Sequence, residues 1–71
     1  MEITIKNFAD LNKLVRICSK HSGNISARSG RFVADAKSLM GMIALDLSKP
    51  LTIMQDDIQD KTLLEELKAA M

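Results

Sequence analysis

The residues that could do chemistry are few: one histidine, one cysteine, and a serine set directly before a run of apolar side chains. Ser38 precedes Leu39, Met40, Gly41, Met42 and Ile43, with Leu45, Leu47 and the turn residues Ser48-Lys49-Pro50 close behind. A serine so placed can cap a short helix with its side-chain oxygen, and it also sets a hydroxyl beside an apolar recognition surface. His21, the only histidine, could offer a ring nitrogen for transfer chemistry or simply close a helix end. Cys18 could react only as a thiolate, and its place on an apolar stripe favours packing. One histidine has to serve everything. No Ser/His/Asp set, paired acids at catalytic spacing or Gly-rich phosphate loop can be assembled, so no catalytic residue, no cofactor and no enzyme activity are expected. No second cysteine stands at a metal-ligand spacing from Cys18, and no metal site is expected.

The elements that must position these residues show in the periodicity. Residues 2 to 6 alternate, Ile3 and Ile5 on one side and Glu2, Thr4 and Lys6 on the other, which predicts a half-buried strand. From Asn7 the spacing becomes helical, with Phe8, Leu11, Leu14, Val15 and Cys18 on one face. Asn7 is the expected cap, Asp10 suits the positive end of the helix dipole, and Lys20 and His21 suit the negative end before Gly23. This helix is predicted over roughly 8 to 21. Residues 24 to 35 read as a hairpin that turns at Ser29-Gly30, with Phe32-Val33-Ala34 extended again. Ser38 through Ala44 predict a short apolar helix, and Leu51-Thr52-Ile53-Met54 a fourth strand. Asp56, Asp57 and Asp60 crowd the approach to a last helix, in which Leu63, Leu64, Leu67 and Ala70 share a face while Lys61, Glu65, Glu66 and Lys68 point outward.

The predicted order is β-α-β-β-α-β-α in a single domain over 1–71. It implies an α+β open-faced sandwich, a four-stranded antiparallel sheet with its helices on one face. Seventy-one residues support one small core. With 46% hydrophobic and 3% aromatic residues, that core is aliphatic and methionine-rich. Ten Lys/Arg against nine Asp/Glu give a net charge of +1, which offers no electrostatic basis for binding nucleic acid or an anionic membrane. A lone cysteine and the absence of a signal-like or membrane-spanning apolar run lead to the expectation of a cytoplasmic protein.

The string AKSLMGMIALDLSKPLTI, from Ala36 to Ile53, closely resembles the histidine-containing phosphocarrier protein (HPr) family of the bacterial sugar phosphotransferase system. The resemblance is strongest from Gly30 to Ile53 and extends more weakly from Lys13 to Ser29 and through the last helix. It implies the same open-faced sandwich. In that family the functional histidine stands at the start of the first helix, in a motif of the form G-[IL]-H-x-R-P-A. Here the region reads Ile5-Lys6-Asn7-Phe8-Ala9-Asp10-Leu11, with no histidine, arginine or proline. A phosphorylated imidazole there depends on free helix N–H groups and a nearby cation, whereas Asn7 supplies no nucleophile and Asp10 would repel phosphate. His21 lies at the other end of that helix, about 20 Å away by the helical rise, where the dipole favours cations. The chain is therefore expected to be a degenerate member without phosphoenolpyruvate-dependent phosphocarrier activity.

Ser38 does match. In HPr proteins of many Gram-positive bacteria the serine at this place is phosphorylated by an ATP-dependent kinase, so the resemblance makes Ser38 a phosphorylation candidate; as a residue alone, it reads first as an N-cap, which explains it without any partner. The resemblance also implies that Leu39, Met40, Ile43 and Leu47 bind a partner protein, with Met40 and Ile43 the exposed pair. Taken simply as apolar residues of a small domain, Leu45 and Leu47 belong to the core and Met40 could go either way. Lys37 and Arg31 are read as solvated cations. The expected partner is a protein, such as a kinase or another phosphotransferase-system component, with neither nucleic acid nor membrane involved. The alternatives are a phosphocarrier with an unusual acceptor such as His21, and a structural module that forms homo-oligomers through the apolar patch or a sheet edge.

Overall fold

The elements run β1 (Glu2–Ile3), α1 (Phe8–Ser19), β2 (Ile25–Ser29), β3 (Phe32–Asp35), α2 (Leu39–Ile43), β4 (Leu51–Gln55) and α3 (Lys61–Ala70). They come from a computed structural model that describes residues 1–57 and 59–71. The class is α+β, and the described residues form three helices and one open antiparallel sheet of order β1-β4-β2-β3.

Alternation builds the sheet's buried side. Ile25 and Ala27 of β2, Leu51 and Ile53 of β4 and Ile3 of β1 are buried, and the register sets Ala27 opposite Ile53 and Ile3 opposite Leu51. These side chains join Leu11, Leu14, Cys18, Met42, Leu63 and Leu67 in one core cluster, so the helices cover that side. Ser29 continues the inward set as a buried polar residue, and its hydroxyl donates to the Asp46 carbonyl at 3.0 Å, which offsets the cost of burying it.

Several boundaries differ from the sequence reading, each for a local reason. The first strand stops at Ile3 instead of reaching residue 6, because its partner β4 begins at Leu51, directly after Pro50, which has no N–H to extend the ladder. Ile5 is still buried. The hairpin turns at Gly30-Arg31, one residue later than expected, and Gly30 takes a φ of 61°, as the first central residue of a II′ turn requires. Helix α1 ends at Ser19 with Lys20 as its C-cap, so His21 lies beyond the helix. Asn7 does cap α1: its side-chain oxygen accepts the Asp10 N–H at 2.9 Å, while the Asp10 carboxylate accepts the Lys6 N–H at 3.1 Å. At the far end only Asp60 caps α3, accepting the Thr62 N–H at 2.9 Å. Asp57 instead accepts both the backbone and side-chain N–H of Asn24, and Asp56 accepts the Ser26 hydroxyl, so these two acids fasten the end of β4 to the start of β2. No helix among the described residues is long and apolar enough to cross a membrane.

Candidate functional site

Five residues are too few to hold a helix by backbone bonding alone, so α2 depends on its cap and its anchor. The cap is Ser38, whose extended backbone turns its hydroxyl oxygen toward the Gly41 N–H at 3.2 Å, while its carbonyl accepts the Met42 N–H at 3.0 Å. The anchor is Met42, fully buried, with Leu39 three residues earlier on the same face and packed against the core. Helical spacing then forces Met40 and Ile43 outward together. Met40 is 82% exposed and Ile43 49%. Leu45 is buried, and Leu47 is half-buried against the core. The sequence-selected residues thus divide into Met40 and Ile43 at the surface, Leu39 and Leu47 at its border, and Ser38 at the start of the helix that carries them.

Between α2 and the start of α1 lies an open cavity of about 420 Å³, lined by Ile5, Phe8, Leu11, Ile43 and Leu47, with Lys6 and Asn7 at its polar margin. Its size falls within the range of small-ligand clefts. Phe8 is the residue the sequence reading misplaced. Its spacing with Leu11 and Val15 put it on the core face, yet it is 59% exposed and forms a wall of this cavity. Periodicity locates a stripe on a helix but not where the core beneath that stripe ends; here Ile17 is buried in its place. Phe8, Met40 and Ile43 all present large apolar surface to solvent. Such a face can bind through burial of apolar area, with the Ser38 hydroxyl at the start of the helix that carries Met40 and Ile43.

His21, partly buried just past the end of α1, is held by more than its position suggests. Its side chain is only 10% exposed, and both ring nitrogens meet carboxylates: Nδ1 lies 2.8 Å from Asp60 Oδ2 and Nε2 lies 2.9 Å from Glu66 Oε1. A carboxylate only accepts hydrogen bonds, so two of them require two N–H donors, which is the imidazolium. The bond to Asp60, then that to Glu66, raises the His21 pKa above its ordinary 6.5 against the opposing effect of burial. The same contact lowers Asp60, and bonds from Lys20 and then His21 lower Glu66. Lys20 completes the group at 2.7 Å from Glu66, so Glu66 faces this cluster and not open water as expected. The cluster fastens the end of α1 to α3.

The remaining candidates are occupied by structure. Lys37, expected in solvent, donates from Nζ to the His21 carbonyl at 2.6 Å. Arg31 is exposed in the β2–β3 turn. Cys18 is fully buried, and desolvation pushes its thiol up to about 11 despite the opposing Lys37 charge, which leaves it protonated and inert at neutral pH. No group of ligating side chains among the described residues could hold a metal ion. The chain matches no protein-family model, no curated protein and no solved structure.

Proposed function

We propose that this chain is an HPr-like regulatory or protein-interaction domain that docks a protein partner through Met40 and Ile43, flanked by Leu39 and Leu47, and does not relay phosphate from phosphoenolpyruvate. The observation that carries this reading is the 82% exposure of Met40 on a helix whose next-but-one residue, Met42, is fully buried. A methionine so exposed, on a helix whose Ile43 joins Phe8 in lining an apolar cavity, supplies adaptable apolar surface of the kind partner proteins cover. The β-α-β-β-α-β-α order and the sheet open on one side agree with the open-faced sandwich that the HPr resemblance implies. Phosphorylation of Ser38 would act as a switch. It would add about −1.5 to −2 charges beside the docking residues and would replace the hydroxyl that now accepts the Gly41 N–H.

The phosphocarrier alternative is disfavoured by His21. Phosphoryl transfer to an imidazole needs a nitrogen lone pair free to attack, and in the clamp the two ring nitrogens are engaged by carboxylate oxygens at 2.8 and 2.9 Å. Two incubations test the proposal together. With ATP and an HPr kinase, one phosphate is expected on Ser38 by mass spectrometry and none on Ser38→Ala. With phosphoenolpyruvate and the upstream enzyme of the system, no label is expected. Label transferred to His21 would replace the docking reading with the phosphocarrier one, and a chain that takes no phosphate from ATP would remove the Ser38 switch.

A further inference from the structure

Strand β3 ends the sheet on one side, with β2 as its only neighbour among the described residues. Ala36 N–H donates to the Ile25 carbonyl at 2.9 Å, which makes Ile25 and Ala36 a hydrogen-bonded pair. Antiparallel ladders alternate, and the register pairs Ala27 with Ala34 and Ser29 with Phe32, so the backbone groups of Phe32 and Ala34 turn toward β2. Those of Val33 and Asp35 turn outward. The Asp35 carbonyl is taken by the Ser38 N–H at 2.9 Å, but Val33 presents both its donor and its acceptor to the open edge. The side chains beside this edge are unusually apolar for an exposed strand: Phe32 is 68% and Val33 56% exposed. Edge strands are commonly blunted by lysine, proline or a bulge, and β3 contains none of these.

The charges flanking the strand say what fits it. The segment reads Arg31-Phe32-Val33-Ala34-Asp35, a cation and an anion placed symmetrically about Val33. Both are exposed, and neither forms an ion pair with another described residue. We propose that β3 pairs antiparallel with β3 of a second copy of this chain about a two-fold axis at Val33, joining two four-stranded sheets into one of eight. In that register the outward groups of Val33 bond to those of Val33 in the other copy, and each Arg31 stands across from an Asp35. Each Phe32 lies over the half-buried Ala34 of its neighbour. A parallel arrangement would set Arg31 against Arg31. The contact is closed and isologous, so it ends at a dimer. Being only one short strand wide, it belongs with the small, weak interfaces, and a dissociation constant of about 10 µM to 1 mM is expected.

Sedimentation velocity of the purified chain over about that concentration range reads the dimer directly. The wild type is expected to move toward twice its monomer mass. Val33→Pro removes the outward N–H without touching a bond to β2, a substitution edge strands accept, and it is expected to stay monomeric with an unchanged circular dichroism spectrum. Arg31→Glu and Asp35→Lys each place like charges opposite one another and weaken association about tenfold or more, while an equimolar mixture of the two restores it, since every cross-strand pair is then of opposite sign. A wild type that remains monomeric overturns the proposal, as does a dimer that survives Val33→Pro. A mixture no more dimeric than its components overturns the register and the proposal with it.

Discussion

Two methionines a single residue apart in α2 should respond oppositely to the same substitution. Met42→Ala removes three heavy atoms from a site with no solvent exposure, between Leu39 on its own helix face and the core beneath. Burial and cavity effects together make such a change cost roughly 2–5 kcal/mol. At about 0.05–0.15 kcal/mol per residue the whole chain is stable by only some 4–11 kcal/mol, so Met42→Ala consumes a large share of it. A loss near the middle, about 3 kcal/mol, lowers Tm by about 12–24 °C for a domain of this size. Met40→Ala cuts an 82% exposed side chain and should stay within about 0.5 kcal/mol of wild type. The chain has no Trp or Tyr, so urea unfolding is best followed by far-UV circular dichroism. Equal effects from the two substitutions, or a loss above about 1 kcal/mol from Met40→Ala, would refute the placement of α2 and with it the docking face.

Stability should also vary with pH through the His21 cluster. His21 is raised above 6.5, so its contribution is complete below pH 6.5 and is lost as pH rises through the raised value; Asp60 and Glu66 are lowered from 3.8 and 4.5, so theirs is complete above those values and is lost on acidification. Urea midpoints should be highest between about pH 4.5 and 6.5, and His21→Gln should abolish the decline on the alkaline side; an unchanged alkaline limb in that variant would show that the imidazolium clamp is absent. Ser38→Ala should cost about 1 kcal/mol by loss of the α2 cap, with Ser38→Asp costing less because a carboxylate can also accept the Gly41 N–H; equal losses in chemical denaturation would speak against a capping role.

How much of this was legible in the sequence depends on the range of the interaction. Asn7 and Ser38 act on N–H groups three residues away, and both caps can be read directly from residue type and spacing. Alternation located the inward residues of β2 and β4, whereas apolar character alone left Met40 open between core and surface, and only the family resemblance picked Met40 and Ile43 as the outward pair. What could not be read is set by distant partners. The His21 clamp joins residues 39 and 45 positions apart, and nothing local to His21 announces it. Asp56 and Asp57 resemble helix-start acids by position, yet Asn24 and Ser26, brought alongside by strand pairing, claim them. Phe8 keeps its helical phase with Leu11 but extends past the edge of the core, a boundary drawn by the placement of α2 and Leu47 and not by α1 itself. The shortened β1 likewise reflects its partner, whose ladder begins only after Pro50.

The central claim is that α2 is a docking face for a protein of the phosphotransferase type, and methyl NMR tests it most directly. Methionine and isoleucine methyl spectra of the intact chain, recorded while an HPr kinase is added without ATP, should show Met40 and Ile43 signals shifting or broadening first, with Met42 and Ile25 in the core unaffected, and Met40→Ala should weaken the response. Methyl signals that stay unchanged at saturating kinase, or that move only at residues remote from α2, would contradict the account.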